Sequence, residues 1–122
     1  MKNLIFNTQI CTTIEQSDRL LELGLKRETA DMFHPAQHIG KDIVRYSDSP
    51  MRVQEEHFEI FVDDLPAWSL HRLIAMLPDR DRAYLTEYCD FKDCSKIYDG
   101  VISLIEWMIE NGHFNKEYLK EE

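Results

Sequence analysis

A chain of 122 residues with 43% hydrophobic and 30% charged side chains, only 4 Gly and 4 Pro, has the balance of a soluble globular domain and excludes collagen-like or disordered character. Its formal net charge of -9 argues against a general nucleic-acid or anionic-membrane binder, because affinity for phosphate comes mainly from Lys and Arg. The acid is uneven, with 7 basic and 10 acidic side chains over residues 1–62 against 7 basic and 13 acidic over residues 63–122. Such an excess is either a solvated face or a surface for a basic partner.

The first seven residues, Met1 to Asn7, hold too brief an apolar run for a signal-peptide core, and no apolar stretch nears the ~20 residues that span a bilayer. A cytoplasmic chain is the expectation. Cys11, Cys89 and Cys94 are an odd number without dense spacing, which favours reduced thiols over a disulfide scaffold.

In chain order, Thr12 with Glu15 forms a capping-box pattern, and Ile14, Ser17, Leu20 and Leu21 share one face, so the spacing predicts a helix over 13–23. Gly24 followed by Leu25 is the sequence of a Schellman ending. Residues 26–37 read as a turn with a short helical piece, broken at His34-Pro35. From 39 to 62 the period shortens toward two. Ile43-Val44-Arg45-Tyr46 and the Phe58, Ile60, Val62 run predict two strands joined at Ser47-Asp48-Ser49-Pro50, the second being the more buried.

Asp63-Asp64-Leu65-Pro66 is expected to end that strand, and Ser69 to cap a helix through Leu70, Leu73, Ile74 and Leu77 that stops at Pro78. Ala83 to Tyr88 has the aromatic and β-branched content of a third strand. Over 96–111 a helical step gathers Ile97, Val101, Leu104, Ile105 and Met108, leaving Asp99, Ser103, Glu106 and Glu110 as a polar stripe in water. Asn111-Gly112 ends this helix and Asn115 caps a last short turn. No repeat or linker interrupts the chain, so residues 1–122 are expected to form one α+β domain: a small antiparallel sheet of about three strands packed against three helices.

Few constellations suggest chemistry. Cys89-x4-Cys94 with His34-x3-His38 has the donors of a zinc site but the wrong order and separation, and Pro35 keeps the two histidines off one helix face. His57 and Glu59, with Asp63 and Asp64 just beyond, could hold a divalent ion or perform acid-base work, though carboxylates along an exposed strand are ordinary. Neither a nucleophile elbow nor a phosphate-binding glycine loop can be built from Gly24, Gly40, Gly100 and Gly112. Trp68 either seals the core or anchors a partner.

Leu20 to Leu25, Glu28 to Met32, Pro66-Ala67-Trp68-Ser69-Leu70 through Leu77-Pro78, and Ile105-Glu106-Trp107 through Asn115 to Leu119 together resemble a group of small uncharacterised proteins from phages and mobile elements of gut bacteria. The resemblance implies an origin and brings no catalytic residue, metal or cofactor with it. The leading expectation is a non-enzymatic accessory or protein-interaction module, with Trp68, Asp99, Glu106 and Glu110 as candidate partner-binding residues, no cofactor, and no direct contact with nucleic acid or membrane. The alternatives are a small metal-dependent enzyme using His57, Glu59, Asp63 and Asp64, or an acidic mimic that blocks a nucleic-acid-binding protein.

Overall fold

Two overlapping capping boxes compete at the first helix, because Thr12-Thr13 is followed by Glu15-Gln16. The second one forms. In this computed structural model, which describes residues 9–53, 63–89 and 96–120, helix α1 spans Ile14–Glu22, with the Thr13 hydroxyl accepting from the Gln16 amide and the Gln16 side chain accepting from the Thr13 amide. Thr12 is instead drawn inward, where it is fully buried and hydrogen-bonded to Ser17 Oγ at 2.7 Å. The helix ends as its sequence indicates: Gly24 takes φ 102, Gly24 N–H donates to Leu21 O, and Leu25 N–H donates to Leu20 O, a complete Schellman pair with Leu20 and Leu25 both buried.

After a 3₁₀ turn at Arg27–Thr29 come two strands the sequence pattern did not announce, β1 at Met32–His34 and β2 at Ala36–Ile39; β3 at Asp42–Tyr46 then falls where Ile43 to Tyr46 were expected to be extended, and β4 at Met51–Arg52 and β5 at Leu65–Ala67 follow. Strands β4-β1-β5 make one antiparallel sheet and β2-β3 a separate hairpin. The strands therefore begin earlier than expected, and β3 pairs with β2. The Phe58-Ile60-Val62 strand lies outside the described residues. Leu65 and Pro66 do not end a strand but form one, with Phe33 opposite Pro66. Among the described residues β5 is an edge of its sheet, the place where a residue lacking an N–H is tolerated.

Helix α2 spans Leu70–Ala75, capped by Ser69 Oγ on the Arg72 amide at 3.1 Å. The expected third strand over 83–88 is helical: a 3₁₀ helix at Asp79–Tyr84 runs into α3 at Leu85–Tyr88. Helical spacing brings Leu85, Tyr88 and Cys89 to the core together, whereas strand alternation would have put Leu85 and Tyr88 on opposite faces. Tertiary packing here overrides the β-forming composition.

Helix α4, Ile97–Glu110, is the centre of the core. Its Val101, Ile102, Leu104, Ile105 and Met108 are all buried, and it packs against α1, α2 and α3 together. A second Schellman pair closes it, with Gly112 at φ 72 and His113 N–H donating to Met108 O. Asn115 Oδ1 then caps the Lys116–Tyr118 turn. Reciprocal backbone bonds, Lys26 N–H to Tyr118 O at 2.8 Å and Lys120 N–H to Gly24 O at 2.7 Å, tie this tail to the loop after α1. The architecture is a small α+β fold, and among the described residues no helix is long and apolar enough to cross a membrane.

Candidate functional site

The residues singled out in the sequence do not form one site. Trp68 is fully buried, its indole N–H donating to Thr29 Oγ1 at 2.9 Å and its backbone bonded to Thr12, so it belongs to the core and offers a partner no surface. The polar stripe of α4 is only partly free. Glu106 meets Arg19 of α1 at 2.5 Å with both side chains about two-fifths exposed, and exposed Asp99 accepts from Gln16 Nε2 at 2.8 Å. Two of the stripe's three carboxylates thus fasten α4 to α1, because α1 places Gln16 and Arg19 one turn apart opposite them. Glu110 is exposed.

Of the acid-base cluster, His57 and Glu59 lie outside the described residues. Asp64 Oδ1 accepts the Ala36 amide at 2.8 Å, its backbone carbonyl accepts from Arg27, and Asp63 lies 3.9 Å from His38. These two carboxylates therefore serve the junction of β2 with β5. Cys94 also lies outside the described residues, while Cys11 and Cys89 are buried free thiols. Among the described residues no three His, Cys, Asp or Glu side chains are gathered as a metal set.

A cleft of about 360 Å³ runs between the segment before α1 and the turn after β3, lined by Gln9, Cys11, Thr13, His34, Asp48 and Pro50 among others. Cys11 and His34 on its wall have the composition of a nucleophile and its base. Their state is wrong for that work. Burial, with the nearby charge of Asp31 second, pushes the Cys11 thiol up to about 11, so little thiolate exists near neutrality. His34 is 5% exposed and spends both ring nitrogens on backbone carbonyls, Nδ1 on Ser47 O at 3.1 Å and Nε2 on Thr12 O at 2.9 Å. A general base needs a free lone pair, and this ring holds none toward the thiol.

A second buried polar group lies at the far end of α4. Asp81 is 2% exposed, with Oδ1 3.7 Å from His113 Nδ1 and Oδ2 3.6 Å from Arg80 Nε, and the His113 ring stands edge-on to Trp107. It joins the 79–84 turn to the end of α4.

Among the described residues, exposed aliphatic side chains gather on the hairpin, while Ile10, before α1, is exposed on its own. Ile39 is 73%, Val44 55% and Ile43 41% exposed, and Met51 on neighbouring β4 is also exposed. Gly40 at φ 64 occupies the first of two loop positions, which lets Ile39 and Asp42 face each other across a tight turn. A register shift between Gln37 and His38 gives β3 an extra residue, so the usual separation into an apolar and a polar face is lost and aliphatic side chains emerge on both. Residues 36–53 carry Lys41, Arg45 and Arg52 against Asp42 and Asp48, a basic balance within an acidic chain. The sequence signal was there in Ile39-Gly40-Lys41-Asp42, but Gly40 sat where a strand was expected to start.

Comparison of the chain with protein-family models, with curated proteins and with solved structures finds no match.

Proposed function

We propose that the chain is a non-enzymatic protein-interaction module of phage or mobile-element origin, and that the β2-β3 hairpin is the part that meets its partner. The observation that carries this reading is the exposure of Ile39, Ile43 and Val44 on a two-stranded ribbon. Such a ribbon has little stability of its own, and clustered exposed aliphatics in water are costly unless they are covered in the working state. Lys41 and Arg45 beside them suit a partner surface that is apolar in the middle and acidic at the rim. The resemblance of the helical segments to small phage and mobile-element proteins supports the origin.

The non-enzymatic reading is supported by the condition of the reactive groups: the Cys11 thiol is held protonated and both nitrogens of His34 are occupied. Affinity purification from the native host followed by mass spectrometry tests the proposal when run on the wild type and on an Ile39→Ser, Val44→Ser double variant. At least one protein should be enriched by the wild type and lost with the variant while circular dichroism stays unchanged. An identical set of captured proteins would remove the hairpin from the interface.

A further inference from the structure

Ile39 pairs with Asp42 across the tight turn, and His38 with Ile43 in the next pair, so Ile39 and Ile43 lie on opposite faces of the ribbon. Both are exposed, as is Val44. A flat partner surface laid on the hairpin would cover one face and leave the other in water. A strand added along β3 sets side chains above and below the ribbon together, and it bonds to the backbone as well. Resting on the reading that the hairpin meets the partner, we propose that it does so by strand addition: an extended acidic segment of another protein pairs with the outer edge of β3.

The backbone of β3 is oriented for this. The pair that closes a two-residue loop bonds inward, so Ile43 in the following pair turns its amide and carbonyl away from β2. Beyond the other end of the strand Ser47 N–H donates to Pro35 O at 2.7 Å, which turns Tyr46 outward in the same way. Among the described residues no strand lies on that side of β3. An edge of this kind is a template for another chain. The outer edge of β2 is already taken: the Ala36 amide donates to Asp64 Oδ1 at 2.8 Å, and Asp63 lies 3.9 Å from His38.

Charge selects the occupant. Lys41 in the turn, Arg45 on β3 and Arg52 on β4 are all exposed. Arg45 Nε donates to Gln37 Oε1, which holds the guanidinium over the ribbon and leaves its Nη groups for a carboxylate. An acidic strand is attracted to β3 by these cations and repelled from the outer edge of β2 by Asp63 and Asp64. A second copy of this chain is the poorer occupant, because it would set the same cations against each other and bring together two chains of net charge -9.

NMR of the full chain tests this with short synthetic peptides: one of alternating Glu and Val, the same peptide with Lys in place of Glu, and the acidic peptide N-methylated on adjacent central residues so that both of its edges are blocked. At saturation the acidic peptide should shift the amides of Ile43 and Tyr46 and slow their hydrogen exchange roughly tenfold, on the order of one hydrogen bond gained at each. The basic and N-methylated peptides should do neither, and Arg45→Glu should weaken binding of the acidic peptide roughly tenfold. No response to the acidic peptide, or an equal response to the basic one, overturns the proposal. Equal binding of the N-methylated peptide overturns it by placing the contact on a face of the ribbon. Slow exchange of Ile43 and Tyr46 before any peptide is added also overturns it, since the edge is then already filled, by a second copy where ultracentrifugation finds a dimer. If the acidic peptide fails while a captured protein is still lost with Ile39→Ser, Val44→Ser, the hairpin remains the interface and strand addition goes; if capture is unchanged by that variant, the reading beneath goes too.

Discussion

Thr12 and Trp68 are bonded to each other twice: the Thr12 amide donates to Trp68 O at 2.9 Å, and the Trp68 amide donates to Thr12 Oγ1 at 3.1 Å. Both residues are fully buried, so the pair joins the entry of α1 to the end of β5 inside the core. Thr12→Val keeps the shape and removes the hydroxyl, leaving the Trp68 amide and Ser17 Oγ short of a partner. We expect a loss of about 1–3 kcal/mol by urea denaturation, and a smaller loss for Thr12→Ser, which keeps the oxygen.

That pair also explains one limit of reading this chain from its sequence. Thr12-x-x-Glu15 and Thr13-x-x-Gln16 are equally good capping boxes by composition, and what separates them is Trp68, 55 residues beyond Thr13. Local signals that carry their own geometry were legible: Gly24 and Gly112 as left-handed stops, Ser69 and Asn115 as caps, and the apolar arc of α4. Signals that depend on the neighbour were not. Met32–His34 and Leu65–Ala67 are three-residue strands abutting or containing proline, too short to show alternation, and each is defined by pairing with the other. Ala83 to Tyr88 carries strand-forming side chains, and only the approach of α3 to α4 decides its helical form. Trp68 as core or anchor was an open choice that burial decides.

Gly100 is where that approach is tightest. A Cβ built there would meet the Tyr88 carbonyl oxygen and would sit 2.9 Å from both Cα and Sγ of Cys89. Replacing glycine by alanine inside a helix normally gains close to 1 kcal/mol, yet here the atoms in the way include backbone. Gly100→Ala should therefore destabilise by about 1–3 kcal/mol in a denaturant melt, with α3 losing amide protection before α1 does.

The core role of α4 is checked by truncation. Leu104 and Ile105 are fully buried, so Leu104→Ala or Ile105→Ala should cost about 2–5 kcal/mol, while Glu110→Ala on the exposed stripe should stay within about 0.5 kcal/mol. Chemical denaturation of the three variants separates a buried helix face from a peripheral one.

Arg19 and Glu106 form a partly exposed pair, so their attraction is screened and small. A double-mutant cycle with Arg19→Ala and Glu106→Ala should give a coupling of about 0.2–1 kcal/mol that shrinks with added salt. Coupling that persists in concentrated salt would mean the pair is more enclosed than its exposure indicates.

Cys11 makes a pH prediction of definite sign. Its thiol rises from 9.0 to about 11 in the folded chain, first through burial and then through the charge of Asp31, so the unfolded chain gives up this proton earlier than the folded one. The contribution is complete below pH 9.0 and is lost as pH climbs through about 11. Stability of the wild type should fall over that window more steeply than that of Cys11→Ala, and peptide mapping after alkylation near neutrality should find Cys11 protected until the chain unfolds.

Whether the hairpin, and not the acidic stripe of α4, meets the partner is decided by site-specific photo-crosslinking in the native host. A benzophenone side chain placed at Val44, and in a separate variant at Glu110, puts the same reactive group on two exposed positions of the same protein. We expect a discrete crosslinked protein from position 44, absent from position 110 and lost when Ile39→Ser is added. A discrete crosslink from position 110 with none from position 44 would contradict it and return the interface to the acidic face of α4.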